Sequence, residues 1–128
     1  MTTTPEVTRR HRALIVEDDP AIRRLVGKLL QRRGIDIDVA NDGKQAIEKI
    51  RSGDYSVLIL DLMVPEVNGF EIIDFVRKNQ IRTPVAVVSA VSAQALTKLD
   101  TGIVKLVISK PFDVDEFTSK IVALCSSQ

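Results

Sequence analysis

The sequence predicts an α/β fold, a doubly wound parallel sheet of five strands with helices on both faces. Three observations carry that reading. Short apolar runs alternate with stretches of helical period five times along the chain, and such alternation implies a parallel sheet with right-handed crossovers. One run, Val57–Leu60 (VLIL), is unbroken, as suits a strand buried on both faces. Two others, around Ile35–Val39 and Val104–Ile108, are interrupted by polar residues and so belong at the sheet edges. Placing the second and fifth strands at the edges favours the order 2-1-3-4-5. Strands 1 and 3 are then neighbours, and their carboxyl ends frame a crevice.

Met1 to about Arg10 is polar, contains Pro5 and reads as a flexible lead-in to a single domain over residues 11–128. Arg9, Arg10 and Arg12 form a small basic cluster that reads as a solvated flank rather than a nucleic-acid arm. Ala13–Val16 is the first strand and runs into Glu17, Asp18 and Asp19. Pro20 suits the first helical position, with Asp19 as the N-cap. Ile22, Leu25, Val26, Leu29 and Leu30 then repeat with helical spacing as an inward face, while Arg23, Arg24, Lys28, Arg32 and Arg33 cover the rest. Gly34 ends the helix. Ile35, Ile37 and Val39 alternate with Asp36 and Asp38 as a half-exposed second strand. Asn41-Asp42-Gly43 is a turn and cap signal. A short helix follows, with Ala46, Ile47 and Ile50 inward, and closes at Ser52-Gly53.

After the third strand, Val57–Leu60, comes Asp61 and then a loop marked by Pro65, Asn68 and Gly69. A third helix runs from about Phe70 to Lys78 and buries Ile72, Ile73 and Val76. Thr83-Pro84 opens the fourth strand, Val85–Val88, which ends on Ser89. A weaker helical pattern spans about Ser92–Leu99 and breaks at Gly102. The fifth strand leads into Ser109-Lys110-Pro111-Phe112. Asp113 and Glu116 have capping-box spacing for a last helix that turns Phe117, Ile121, Leu124 and Cys125 inward.

At 128 residues the chain is large enough for one real core. Apolar residues make up 45% and charged residues 27%, and a net charge of +1 supplies no global drive toward nucleic acid or membrane. Cys125 is the sole cysteine, which excludes an internal disulfide and fits a reducing compartment; it reads as a small apolar residue of the last helix. No apolar run approaches the roughly 18 residues of a membrane span, and the segment MTTTPEVTRRHR lacks the apolar core of a secretory signal. A cytoplasmic location is expected.

The polar residues that interrupt this pattern fall at strand ends: Glu17 and Asp18 after strand 1, Asp61 after strand 3, Ser89 after strand 4 and Lys110 after strand 5. Converging carboxylates repel one another, and without compensation at least one pKa rises. A hard divalent cation such as Mg2+ relieves this with oxygen ligands. A carboxylate is also a nucleophile toward phosphorus, and the charge on a transferring phosphoryl group needs a cation and a hydrogen-bond donor. Lys110 and Ser89 supply these, so the set is coherent for phosphoryl transfer to Asp61.

The segments VEDD (Val16–Asp19), DLMVP (Asp61–Pro65), NGFE (Asn68–Glu71), SA (Ser89–Ala90) and KPF (Lys110–Phe112) resemble the receiver domain of two-component response regulators, over about Arg12 to Cys125. That resemblance implies the flavodoxin-like (βα)5 fold. It implies Asp61 as phosphoacceptor, Asp18 as direct Mg2+ ligand, Glu17 acting on the metal through a water, and the Met63 carbonyl as a further ligand. Ser89 matches the switch hydroxyl and Lys110 the lysine that pairs with the phosphoryl group. The Lys110–Pro111 peptide is expected to be cis. A histidine kinase or histidine phosphotransfer protein would be the donor, and a downstream target protein or a fused output domain the recipient of the signal. The domain would catalyse its own phosphorylation and hydrolysis without being a conventional turnover enzyme. The only histidine, His11, lies outside the motifs and is not expected to be a donor. The first helix, with Arg23 and Arg24, is the expected approach face for the phosphodonor.

Two features depart from the family pattern. Val107 stands where an aromatic residue is usual, three positions before the lysine, and Thr101–Lys105 replaces a Gly-Ala-Asp-Asp-like turn. With no ring on strand 5 to move, switching is expected to run through Val91–Thr101. Other chemistries on the same architecture fit less well. Nucleotide or flavin binding wants a glycine-rich loop after strand 1, where this chain has EDDP. A haloacid-dehalogenase-like phosphatase wants an aspartate two residues after the nucleophile, where Met63 stands. A receiver-shaped interaction module that no longer phosphorylates is the remaining alternative, opposed by the intact acidic pair, Asp61 and Lys110.

Overall fold

A computed structural model describes residues 10–90 and 92–126. Residues 1–9 of the expected lead-in, Arg9 among them, and Val91 of the expected switch segment lie outside these residues. The elements are β1 (Arg12–Val16), α1 (Pro20–Gln31), β2 (Asp36–Ala40), α2 (Gly43–Ser52), β3 (Val57–Leu60), α3 (Gly69–Lys78), β4 (Val85–Ser89), α4 (Ala93–Leu96), β5 (Val104–Ser109) and α5 (Val114–Ser126). All neighbouring strands are parallel, in the order β2-β1-β3-β4-β5.

Side chains alternate across the strands, and the sheet divides the interior into two cores. Leu14, Val16, Leu58, Leu60, Val85 and Val87 face α2 and α3, meeting Ala46, Ile50, Ile72 and Val76. Ala13, Ile15, Val57, Ile59, Ala86 and Val88 face α1 and α5, meeting Val26, Leu30, Phe117, Ile121 and Cys125. Every residue of β3 is buried, whereas β2 is half-buried along most of its length and β5 exposes alternate positions. Continuous and interrupted apolar runs therefore mark central and edge strands as expected. Cys125 is fully buried and in no disulfide.

Helix starts follow local chemistry. Asp19 caps α1 by accepting the Ala21 and Ile22 amides, with Pro20 as its first residue. Asp42 caps α2 by accepting the Gln45 amide. At the end of α1, Gly34 takes a φ of 80°, the Gly34 amide donates to Gln31 and the Ile35 amide reaches the Leu30 carbonyl. Only a residue tolerant of the left-handed region closes a helix this way at little cost.

Several expectations are corrected. Leu25 lies outward, 44% exposed, because the face of α1 that meets the sheet is centred on Val26 and Leu30. The reciprocal capping box sits at Asn68 and Glu71, at the start of α3. Asp113 does accept the Glu116 amide at 2.8 Å, but the Glu116 side chain lies toward Lys120. α4 is a helix of four residues followed by turns, shorter than the weak pattern proposed. The basic flank is paired rather than merely solvated: Arg10 and Arg12 form ion pairs with Asp36 and Asp38 of β2, and Arg12 lies over the Tyr55 ring. His11 sits beside Ser56 at the amino-terminal end of β1, the sheet edge opposite Asp61.

Candidate functional site

Parallel strands release their carboxyl ends on one edge, so topology alone delivers the residues that follow them to a common place. Backbone bonds between neighbours fix those ends. The Glu17 amide donates to Ala40, the Asp61 amide to Val16 at 3.0 Å, and the Lys110 amide to Ser89 at 3.1 Å. The Lys110–Pro111 peptide is cis, as expected.

Asp61 is the centre of the arrangement, buried at 8% exposure. Its Oδ1 accepts the Ser89 hydroxyl at 3.0 Å and the Met63 amide at 3.1 Å. Its Oδ2 accepts the Lys110 ammonium at 3.0 Å. The same ammonium donates to Glu17 Oε1 at 2.6 Å, so one cation bridges two buried carboxylates. Glu17 Oε2 takes the Asp19 amide at 3.2 Å, and the Glu17 carbonyl takes Arg23 Nη1 at 2.9 Å. Asp18 is exposed, and its carboxylate accepts no hydrogen bond among the described residues.

These contacts set the protonation states. Burial pushes the Glu17 carboxyl up against the opposing pull of Lys110 and the Asp19 amide, leaving it above the usual carboxylate range. Burial acts on Asp61 in the same direction, but the Met63 amide, Lys110 and the Ser89 hydroxyl together outweigh it, and the carboxyl is held below that range. Burial disfavours the Lys110 ammonium, yet its bonds to Glu17 and Asp61 raise its pKa above the ordinary value. Asp61 is therefore maintained as a carboxylate, the form that serves as nucleophile or ligand.

The loop after β3 is shaped by close approaches. A Cβ on Gly69 would lie 2.6 Å from the Leu62 Cα, and one on Gly43 would lie 1.5 Å from the Val67 carbonyl oxygen. Leu62 and Val64 are buried in the core, while Met63 between them is 67% exposed and presents its amide to Asp61. Glu66 adopts a φ of 70°.

Glu17, Asp18 and Asp61 each place a carboxylate oxygen within 4.8 Å of the others. An all-oxygen set of this kind, with neither histidine nor cysteine in it, fits a hard cation such as Mg2+. The structure thus brings together Glu17, Asp18, Asp61, Ser89 and Lys110, with Met63 alongside through its amide. Sequence reasoning missed Arg23 as a member of the site. Its spacing carries a signal: it lies in the first turn of α1, the helix that leaves the acidic pair, six residues after Glu17. The Lys110–Glu17 bridge was also unanticipated, because Lys110 was matched only to the phosphoryl group.

A parallel sheet in this order, with acids, a hydroxyl and a lysine gathered at the carboxyl ends of its strands, defines a class of flavodoxin-like domains with an acidic pocket. The chain belongs to the response regulator receiver domain family, whose model matches residues 13–122. It is 37% identical over 117 residues to response regulator ArlR of Staphylococcus saprophyticus, covering 90% of this chain and 52% of that protein. It is 34% identical over 115 residues to transcriptional regulatory protein TcrA of Mycobacterium tuberculosis, covering 88% and 45%. The chain thus spans about half the length of these curated relatives. Among solved structures, a Francisella response regulator receiver domain matches with a TM-score of 0.86 and 29% identity, over 92% of this chain and 98% of that one. Response regulator TrrA of Thermotoga maritima, solved in complex with Mg2+-BeF, matches with a TM-score of 0.80 and 32% identity, over 89% and 98%. Among the described residues of this chain no helix is long and apolar enough to cross a membrane.

Proposed function

We propose that Asp61 accepts a phosphoryl group from a phosphohistidine on a histidine kinase or histidine phosphotransfer protein, and that the phosphorylated domain signals by changing its binding to a downstream protein or a fused output domain. The observation that carries this reading is the convergence of three donors, from Ser89, Met63 and Lys110, on one buried carboxylate beside two further acids. An Asp61 oxygen attacks phosphorus, the phosphorus–oxygen bond forms as the phosphorus–nitrogen bond breaks, and the imidazole leaves with the electron pair. Lys110 and Ser89, already bonded to Asp61, are placed to follow the charge onto the phosphoryl oxygens. Asp18 and Asp61, with the Met63 carbonyl and with Glu17 through a water, would hold Mg2+. When bound, the ion supplies neutralisation of phosphoryl charge. The domain acts on itself, so it is a self-modifying switch rather than a turnover enzyme.

Intact mass after incubation with Mg2+ and acetyl phosphate tests the proposal. One phosphoryl group is expected on the wild type and none on Asp61→Asn or in the presence of a chelator. A wild-type chain that gains no phosphate would leave the non-phosphorylating interaction module as its function. A phosphate retained on Asp61→Asn would move the acceptor elsewhere.

A further inference from the structure

We propose that Arg23 is a positioning residue for the acidic pair: its bond to the Glu17 carbonyl fixes the peptide that aims Asp18. The inference rests on reading Asp18 as a Mg2+ ligand and names what holds it in place. Glu17 is pinned at every polar group. Its amide donates to Ala40, its Oε1 accepts Lys110, its Oε2 accepts the Asp19 amide, and its carbonyl accepts Arg23 Nη1 at 2.9 Å. Asp18 is the opposite case. It is exposed, its carboxylate accepts no hydrogen bond among the described residues, and yet it lies within 4.8 Å of the Glu17 and Asp61 oxygens.

With no side-chain restraint of its own, Asp18 depends on its backbone. The peptide plane between Glu17 and Asp18 is the nearest element that a side chain holds. Arg23 reaches that plane from the end of the first turn of α1, half-buried, with the planar guanidinium suited to directed bonding. Its neighbour Arg24 is exposed and takes part in no described bond or ion pair, so the two differ in engagement while carrying the same charge. Losing a hydrogen bond that orients a metal ligand typically costs about 10–100-fold in metal affinity. Such bonds also act against the charge effect here, because a guanidinium beside a cation site opposes cation binding.

That opposition makes the test one of sign. Mg2+ titrations of the full chain compare wild type, Arg23→Met, Arg23→Lys and Arg24→Met. Methionine keeps the apolar stem and removes the charge. Arg24→Met is expected to leave Mg2+ affinity unchanged or slightly higher. Arg23→Met is expected to lower it by about tenfold, and Arg23→Lys to recover part of the loss. In the metal-free state, the Asp18 and Asp19 amide resonances should shift in Arg23→Met and stay in place in Arg24→Met. Equal or tighter Mg2+ binding by Arg23→Met, or unmoved Asp18 and Asp19 amides, would overturn the inference. If the wild type itself takes up no Mg2+, the metal reading of the site fails, and the amide resonances still decide whether Arg23 holds the turn.

Discussion

Replacing Lys110 with methionine removes the one cation shared by Glu17 and Asp61 while keeping most of the side-chain volume. The side chains involved are 15%, 6% and 10% exposed, so the carboxylates left behind are largely cut off from water. Breaking a buried ion pair by deleting one partner costs about 3–5 kcal/mol. The lower end applies, because Asp61 keeps the Met63 and Ser89 donors and Glu17 keeps the Asp19 amide. A loss of about 3 kcal/mol is therefore expected at pH 7 without metal, equivalent to a fall in Tm of about 10 °C for a domain of this size. The variant's two carboxyls should also have folded pKa values raised above their unfolded ones. Their contribution to stability is then intact below the unfolded carboxyl pKa and is lost as pH rises through the folded values. Lys110→Met should accordingly be penalised less at pH 5 than at pH 7. In the wild type the lowered Asp61 pKa acts the other way, and its contribution is lost only as pH falls through that folded value. Urea unfolding at both pH values, in chelator, measures the difference. Adding Asp61→Asn to Lys110→Met should recover at least about 1 kcal/mol relative to the sum of the single changes. A cost below about 1 kcal/mol at pH 7, or the same cost at both pH values, would refute the bridge as a stabilising element.

Gln80 holds a φ of 55° just after α3, where the Ile81 amide reaches back to Val76. Gln80→Gly should therefore stabilise the fold by about 0.5–1 kcal/mol in chemical denaturation, and a destabilisation would show that the Gln80 side chain contributes more than its backbone strain costs. Burial and the hydrogen bond to Asp38 push the Tyr55 phenol up to about 12. Because that folded value exceeds the unfolded one, stability should fall by about 2–3 kcal/mol as pH rises from roughly 10 to 12, and Tyr55→Phe should flatten that slope. In α4 and its following turns, Ala95, Leu96 and Leu99 are only half-buried. Amide exchange with a phosphoryl mimic should therefore change chiefly over residues 92–101, and changes confined to β5 and α5 would overturn that expectation.

Strand identity and the two edge strands were legible because burial on two faces demands an unbroken apolar run, and Val57–Leu60 meets that demand while Asp36, Asp38 and Lys105 break it elsewhere. The gathering of Asp18, Asp61, Ser89 and Lys110 followed from topology alone, since each stands at a strand end. What the pattern left open depends on geometry between elements. A helical repeat identifies an apolar arc but not which part of it the sheet covers, so Leu25 was assigned inward and lies outward. Long side chains were misjudged for a related reason. Arg10, Arg12 and Arg23 span several ångströms, and sequence spacing does not show that Asp36, Asp38 and the Glu17 carbonyl lie within their reach. Val107, exposed on β5, stands where the family pattern has a ring, a position marked by the resemblance and not by strand periodicity.

The contact between Lys110 and Glu17 joins residues 93 positions apart. A ribosome makes Glu17 near the start of this domain and Lys110 near its end, so during synthesis the acids exist for most of the time without their counter-ion. Contacts of such long sequence separation form only after a large loop has closed. With Asp61 as the proposed acceptor, its reactivity becomes a property of the finished fold: a chain cut short before β5 carries Asp61 and both acidic neighbours but lacks the lysine that bonds to them. Newly made and truncated molecules would be silent to a phosphodonor, and competence to receive a signal would arrive together with the last strand.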